Sequence, residues 1–155
     1  MNPPKRFEWD RLNNQQVGAY GEYFVKMELT MFGFQVYRTE VDDRGIDFVV
    51  RYENNPFLCI QVKSTRALNY VFVRKDKFFL TNENFLALVL LEERKEPALY
   101  LIPGVTWKQP NPLFVDRQYE DRASRPEWGM NLSQKNLPLL EPYSFERQIR
   151  LLNCR

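Results

Sequence analysis

The sequence contains no histidine, and this absence removes several kinds of catalytic site. Ser-His-Asp triads, zinc sites with imidazole ligands and hydrolytic sites with a histidine base all need that side chain. If the chain hydrolyses a bond, it therefore has to use carboxylates, lysine and a hard metal ion bound by oxygen ligands.

Cysteine is also scarce, with two residues, Cys59 and Cys154. Two cysteines cannot complete a zinc site alone, and Cys59 falls in an apolar segment where a small buried side chain is the simpler interpretation. The pattern favours a reducing compartment. No apolar run reaches the roughly 20 residues that cross a bilayer, and residues 1–10 lack the apolar core of a signal peptide. We expect a cytoplasmic protein with no membrane partner.

Charge is nearly balanced overall but unevenly distributed. The 155 residues carry a formal net charge of +2, and 44% are hydrophobic and 15% aromatic, which suits one compact domain with a sizeable core. Between Lys63 and Lys77, five basic residues stand against the single acid Asp76, a local balance of +4.

The stretch from Asp42 to Thr65 predicts two strands joined by a tight turn. Residues alternate with period two from Ile46 to Arg51, and the second strand runs from Phe57 to Ser64. Asn54-Asn55-Pro56 between them is typical of a turn.

Three polar side chains of these strands are predicted to lie together. Successive side chains on a strand point to opposite faces, so Gln61 and Lys63 share a face, and a neighbouring strand can bring Asp47 to it. The pattern predicts an acid, an amide oxygen and an ammonium group at strand ends.

A helix is predicted before these strands, capped by Asn13 or Asn14 and running to about Met31, because its apolar residues form one broad face at helical spacing. A glycine two residues later ends it. Glu22 lies at the edge of the apolar face, from where an acid can reach a sheet. Glu28 lies nearer the middle of that face and is a rival for any role given to Glu22.

Hydrophobic periodicity also predicts the remaining strands and helices. Strands are predicted at 34–40, 70–73, 85–91, 98–102 and 113–119, with short helices at 76–80 and after Ser144. The run at 85–91 is apolar throughout, which is typical of a strand buried on both faces. Residues 1–14 are polar with two prolines, and we interpret them as a loose, solvated arm. The mixture predicts the α/β class.

These blocks resemble the PD-(D/E)XK nuclease superfamily, whose pattern is an acid on one strand, an acid-x-lysine step on the next and a glutamate on the preceding helix. The matching residues are Asp47, Gln61-Val62-Lys63 and Glu22, within GE, GID and QVKS blocks that resemble a bacterial branch of the superfamily. The Gly21–Val25 run, followed by Gly33-Phe34, is similar to the N-terminal core of archaeal-type Holliday-junction resolvases. The resemblance covers roughly residues 13–103 of a single domain spanning 1–155, and leaves 104–155 as an irregular C-terminal extension.

The resemblance implies a restriction-endonuclease-like central mixed sheet flanked by helices, and an endonuclease that uses Mg²⁺ or Mn²⁺ to hydrolyse phosphodiester bonds in DNA. It implies that Asp47 is the central metal ligand and that Glu22, the Gln61 amide oxygen and the Val62 backbone carbonyl are further ligands. Lys63 would orient the attacking water or stabilise phosphate charge. Catalytic roles therefore fall to Glu22, Asp47, Gln61 and Lys63.

Gln61 departs from the family pattern, which has an acid at this position. An amide carries no charge, so a second metal ion should bind more weakly. The alternatives are a nuclease-fold protein that binds or assembles on DNA without cutting it, and an accessory factor of a mobile-element or defence system. Asp42 and Asp43 are either supplementary metal ligands or, more simply, a solvated turn.

The segment from Arg66 to Lys77 is a candidate DNA-binding surface, because aromatic residues interleave with its cations. The cations are Arg66, Arg74, Lys75 and Lys77, and the aromatic residues are Tyr70, Phe72 and Phe78. An ordinary strand with solvated charges is the competing interpretation. Because nucleases that cut both strands usually need two sites, a homodimer is a further expectation.

Overall fold

The structure is a computed structural model that describes residues 2–41, 44–120 and 123–154. The Asp42-Asp43 pair, considered above as supplementary metal ligands or a turn, lies outside these described residues. Within the described ranges, no helix is both long and apolar enough to cross a membrane.

Helix α1 spans Asn14–Met31, and both of its predicted ends are confirmed. The Asn13 side chain accepts a hydrogen bond from the Gln16 N–H at 2.8 Å, and the Gln16 side chain accepts one from the Asn13 N–H at 2.9 Å. This capping box satisfies two N–H groups at the helix start. After the helix, Gly33 has φ +91°, a left-handed conformation that glycine adopts without steric penalty.

Eight strands follow in the described part of the chain: β1 Phe34–Arg38, β2 Phe48–Tyr52, β3 Leu58–Thr65, β4 Tyr70–Arg74, β5 Asn84–Leu90, β6 Ala98–Pro103, β7 Phe114–Arg117 and β8 Glu127–Asn131. Five of them form a central sheet in the order β1-β2-β3-β5-β6. β3 and β5 run parallel, and the other neighbouring pairs run antiparallel. The predicted central mixed sheet of an α/β fold is confirmed.

The second sheet has three antiparallel strands in the order β4-β8-β7. Two of its strands come from the region after residue 104, and β8 was not predicted from the sequence. A final helix, α2, spans Phe145–Asn153 as predicted and buries Phe145, Ile149 and Leu152. Three short 3-10 helices complete the described chain, at Trp9–Arg11, Gly104–Lys108 and Leu137–Tyr143.

Each face of the central sheet has its own core, and β5 contributes to both. Phe85, Ala87 and Val89 pack on the face covered by α1 and α2. Leu86 and Leu88 pack on the opposite face, beneath the second sheet. The prediction that this apolar run is a strand buried on both faces is confirmed.

Two local predictions are wrong. Residues 76–80 form a turn and an extended segment instead of a helix, since Phe78 is drawn into the core beneath the second sheet. The N-terminal segment is not a loose arm, because Trp9 is only 4% exposed and its indole N–H donates to the Lys95 carbonyl at 3.0 Å. One buried indole is enough to anchor a segment whose composition is otherwise polar.

Helix α1 approaches β3 most closely at Gly21. A Cβ atom at this position would lie 1.8 Å from Ser64 Oγ and 3.6 Å from Val62 Cγ1. A Cβ atom at Gly18, in the same helix, would meet nothing within 4 Å. The helix therefore needs a glycine at the first position and not at the second.

We predict that Gly21→Ala destabilises the protein by about 1–3 kcal/mol, because the added methyl group forces helix and strand apart. Gly18→Ala should be neutral or stabilise by up to about 1 kcal/mol, since alanine is the better helix former. Urea unfolding measures both. Adding Ser64→Ala to Gly21→Ala should recover part of the loss, and equal effects of the two glycine substitutions would contradict the close contact.

Candidate functional site

Asp47 immediately precedes β2, at the end of the ladder between β2 and β3. Its backbone N–H donates to the Ile60 carbonyl at 2.9 Å, although the strand register pairs Ile60 with Phe48. Asp47 and Phe48 thus both lie opposite Ile60. Two residues opposite one is the arrangement of a β-bulge, which changes the direction of a side chain. The Asp47 carboxylate accepts a hydrogen bond from the Val62 N–H at 2.6 Å. The acid is therefore held between the two strands against the backbone of β3.

Alternate residues of β3 serve opposite faces of the sheet. Val62 and Ser64 lie under Gly21 of α1. Gln61 and Lys63 point the other way and line a cleft of about 520 Å³ beside the second sheet. The predicted shared face of Gln61 and Lys63 is confirmed by this common cleft.

A tight turn at Gly45 shapes one wall of this cleft. Gly45 has φ +76°, and a Cβ atom there would lie 3.0 Å from the Lys77 carbonyl oxygen and 3.6 Å from Gln61 Oε1. The chain can pass between Lys77 and Gln61 only with a glycine at this point. Gln61 Oε1 is buried and has no hydrogen-bond partner among the described residues.

Glu22 is half-buried on α1, which covers the face opposite Gln61 and Lys63. One helical turn further on, the Lys26 ammonium lies 5.3 Å from the centre of the Phe48 ring. Because residues four apart share a helix face, Glu22 lies on the same flank of α1 as Lys26, next to Gly21. The rival acid Glu28 lines a different cavity with Arg6 and Glu96.

The four predicted catalytic residues thus occupy three different positions relative to the central sheet. Gln61 and Lys63 lie on one face, Glu22 lies on the helix that covers the other face, and Asp47 lies between the strands. Backbone N–H and C=O groups of a strand residue point to the same side, so the Val62 carbonyl points, like its N–H, to the β2 side of β3. That all these groups bind one ion stays a prediction.

The predicted ligands offer oxygen atoms of three chemical kinds: carboxylate, amide and backbone carbonyl. This set suits Mg²⁺ or Mn²⁺, which prefer oxygen ligands and retain several water molecules. A buried amide oxygen without a donor, as at Gln61, fits a position that a cation or water completes. In the ranges 2–41, 44–120 and 123–154, no three Asp, Glu or Cys side chains cluster in a metal-binding arrangement.

Arg66, predicted to bind DNA, has a structural task in the fold. Its guanidinium donates to the Leu12 carbonyl at 2.6 Å, the Trp9 carbonyl at 3.2 Å and Asn14 Oδ1 at 3.0 Å. These bonds tie the N-terminal segment to the end of β3. The donors of Arg66 are thus engaged within the fold, and Arg66 is not part of the DNA-binding surface that we propose.

The other predicted DNA-binding cations divide between two sides of the second sheet. Arg74 and Lys77 line the cleft with Lys63, and Arg74 Nε also donates to Asp76 at 2.9 Å. Lys75 points away, pairs with Asp116 and lies 4.0 Å from the centre of the Trp128 ring. Among the interleaved aromatic residues, Phe72 lines the cleft, whereas Phe78 is only 3% exposed and belongs to the core.

The mixed central sheet flanked by helices is a fold that this chain shares with solved nuclease structures. The solved structure of I-Ssp6803I, a bacterial homing endonuclease, is similar, with a TM-score of 0.55 and 16% identity over 92% of this chain and 93% of that chain. The structure of Hjc, a Holliday junction resolvase from Archaeoglobus fulgidus, matches with a TM-score of 0.49 and 19% identity over 76% of this chain and 91% of that chain. No family model and no curated protein matches the sequence. The predicted fold is confirmed.

We predict that Arg66→Ala lowers stability by about 2 kcal/mol or more, because three oxygen acceptors lose a charged donor. Residues 5–12 should also become sensitive to limited proteolysis. The matched control is Arg11→Ala, which removes an exposed pair with Glu8 and should change little. If Arg66→Ala left stability unchanged and weakened DNA binding instead, the guanidinium would be a phosphate ligand.

Proposed function

We propose that this protein is a divalent-metal-dependent nuclease that hydrolyses phosphodiester bonds in DNA. The observation that carries the proposal is the Asp47 carboxylate, which is anchored 2.6 Å from the Val62 N–H beside the strand that bears Gln61 and Lys63. The similarity to the homing endonuclease structure supports the fold that this arrangement needs.

Asp47 is the proposed central ligand of the ion, with the Val62 carbonyl and the Gln61 amide oxygen beside it. Glu22 would approach from the helix side, directly or through water. When bound, a divalent ion supplies positive charge next to the phosphate and lowers the pKa of a coordinated water molecule.

Lys63 is the proposed partner of the phosphate. Hydrolysis joins a water oxygen to the phosphorus and breaks one P–O ester bond, and negative charge grows on the phosphate oxygens during the step. A positively charged ammonium group in the cleft stabilises that charge electrostatically. The position of Lys63, two residues after Gln61 on the same face, suits this role.

Arg74 and Lys77 extend the positive charge of Lys63 along the cleft. We propose that these three cations contact consecutive phosphates on the DNA next to the reacting one. Phosphate contacts of this kind make DNA affinity fall as salt concentration rises.

A DNA-binding protein that does not cut is the second candidate. Gln61 supports it, since it stands where the related pattern has an acid and removes one negative charge from the site. The same Lys63, Arg74 and Lys77 surface would then bind DNA with no hydrolysis.

We predict that Asp47→Asn lowers plasmid cleavage at least about a hundredfold and abolishes Mn²⁺ binding measured by calorimetry. Asparagine keeps an oxygen that can accept from the Val62 N–H, so the fold should survive while the charge is lost. Asp10→Asn, on the N-terminal 3-10 helix, is the matched control and should cut normally.

Plasmid cleavage and Mn²⁺ calorimetry, compared for one variant, separate the binding of the metal from the stabilisation of the phosphate charge. Lys63→Ala should lose cleavage yet still bind Mn²⁺, whereas Lys95→Ala, an exposed lysine paired with Glu92, should be unaffected. Cleavage by Asp47→Asn at the wild-type rate would rule out this site. DNA binding without cleavage by the wild type under all metal conditions would favour the second candidate.

A further prediction concerns Gln61, which we propose to be a working ligand. Gln61→Glu adds an anionic oxygen with nearly the same reach, so Mn²⁺ should bind more tightly and cleavage should continue at lower Mg²⁺ concentrations. Gln134→Glu, an exposed position, controls for the added charge. If Gln61→Glu binds Mn²⁺ no more tightly than the wild type, the amide is not at the ion.

A further inference from the structure

The outer face of the second sheet carries a stack of planar side chains that ends in the cleft. The Arg117 guanidinium lies 3.8 Å from the centre of the Tyr70 ring. The Tyr70 and Phe72 rings are stacked, with centroids 5.8 Å apart and planes inclined by 17°. Three planar groups thus follow one another along the sheet, and Phe72 is the last of them.

Close packing fixes this stack in place. A Cβ atom at Gly129 would lie 2.1 Å from the Tyr70 hydroxyl oxygen and 2.3–2.4 Å from two ring carbons, so the phenol lies directly on the β8 backbone. Burial, together with the neighbouring Glu127 carboxylate, raises the pKa of the Tyr70 phenol. A ring held in this way is a rigid support for its neighbour Phe72.

Phe72 itself is 44% exposed and lines the same cleft as Gln61 and Lys63. An exposed phenylalanine on a strand is a poor match for water, and here it is surrounded by Lys63, Arg74 and Lys77. A ligand that complements this surface presents both negative charge and a flat aromatic face. Nucleic acid combines the two in every nucleotide, whereas in an acidic peptide they are separate side chains.

In a continuous duplex, each base is covered by its neighbours in the stack, so no base face is available to a side chain. An unpaired base has a free face that stacks on aromatic side chains, while its phosphates contact cations. We propose that Phe72 is a stacking platform for an unpaired DNA base beside the nuclease site. The inference rests on the proposed function and adds that the substrate contains unpaired nucleotides next to the cut.

The test measures binding to fluorescein-labelled DNA by anisotropy in EDTA, where no metal-dependent cleavage occurs. The probes are a short single-stranded oligonucleotide and a fully paired duplex of the same sequence. Phe72→Leu keeps an apolar side chain but loses the aromatic face, so affinity for the single strand should fall about fivefold or more. Affinity for the duplex should stay the same, and Phe72→Trp should bind the single strand at least as well as the wild type.

Tyr37→Leu is the matched control, because Tyr37 is also a strand residue with 44% exposure but lies on β1, the far edge of the central sheet. It should leave both affinities unchanged. The inference is overturned if Phe72→Leu binds the single strand as the wild type does, or if it weakens single-strand and duplex binding equally.

These outcomes are separate from those of the cleavage assay. If the protein cuts no DNA but Phe72→Leu still loses single-strand affinity selectively, the nuclease proposal fails and the stacking platform stands. If cleavage depends on Asp47 but Phe72→Leu binds single strands normally, the nuclease proposal stands and the stacking platform fails.

Discussion

The hydrogen bond from the Val62 N–H to the Asp47 carboxylate is the contact on which the candidate site depends. Just before β2 begins, this side-chain bond takes the place of a backbone hydrogen bond between β2 and β3. It therefore holds both the carboxylate and the end of the strand against β3. One residue later, Phe48 is fully buried and sets the depth at which the strand enters the core. The acid is therefore positioned by backbone and core, not by a flexible surface loop.

The parallel pairing of β3 and β5 determines what surrounds this acid. Parallel neighbours cannot be joined by a tight turn, so the chain between them has to cross from one end of the sheet to the other. That connection carries β4, which brings Phe72 and Arg74 to the face of β3 that bears Lys63. β7 and β8 then complete β4 into a second sheet that buries the rest of that face. The region after residue 104 thus supports β4, which supplies Phe72 and Arg74 to the cleft.

Elements with strong local signals were predictable from the sequence, and those set by tertiary contacts were not. The capped helix at Asn13, the apolar β5 and the shared face of Gln61 and Lys63 follow from caps and periodicity, and all are found. β8 was missed because Gly129 interrupts its strand pattern, and the glycine is there to accept the Tyr70 ring. Strand parity could not foresee that the Asp47 carboxylate bonds the Val62 N–H, since a bulge breaks the period of two. Nor could composition show that Arg66 bonds backbone carbonyls, since those acceptors carry no sequence signal.

The central claim is that Asp47 and the Val62 carbonyl hold a divalent ion at the open end of the β2–β3 ladder. The most direct test is a crystal structure of the protein soaked in Mn²⁺, with anomalous scattering used to locate the ion. The account predicts an anomalous peak about 2 Å from an Asp47 carboxylate oxygen and from the Val62 carbonyl oxygen. A peak elsewhere in the molecule, with Asp47 bonded only to the Val62 N–H, would contradict it.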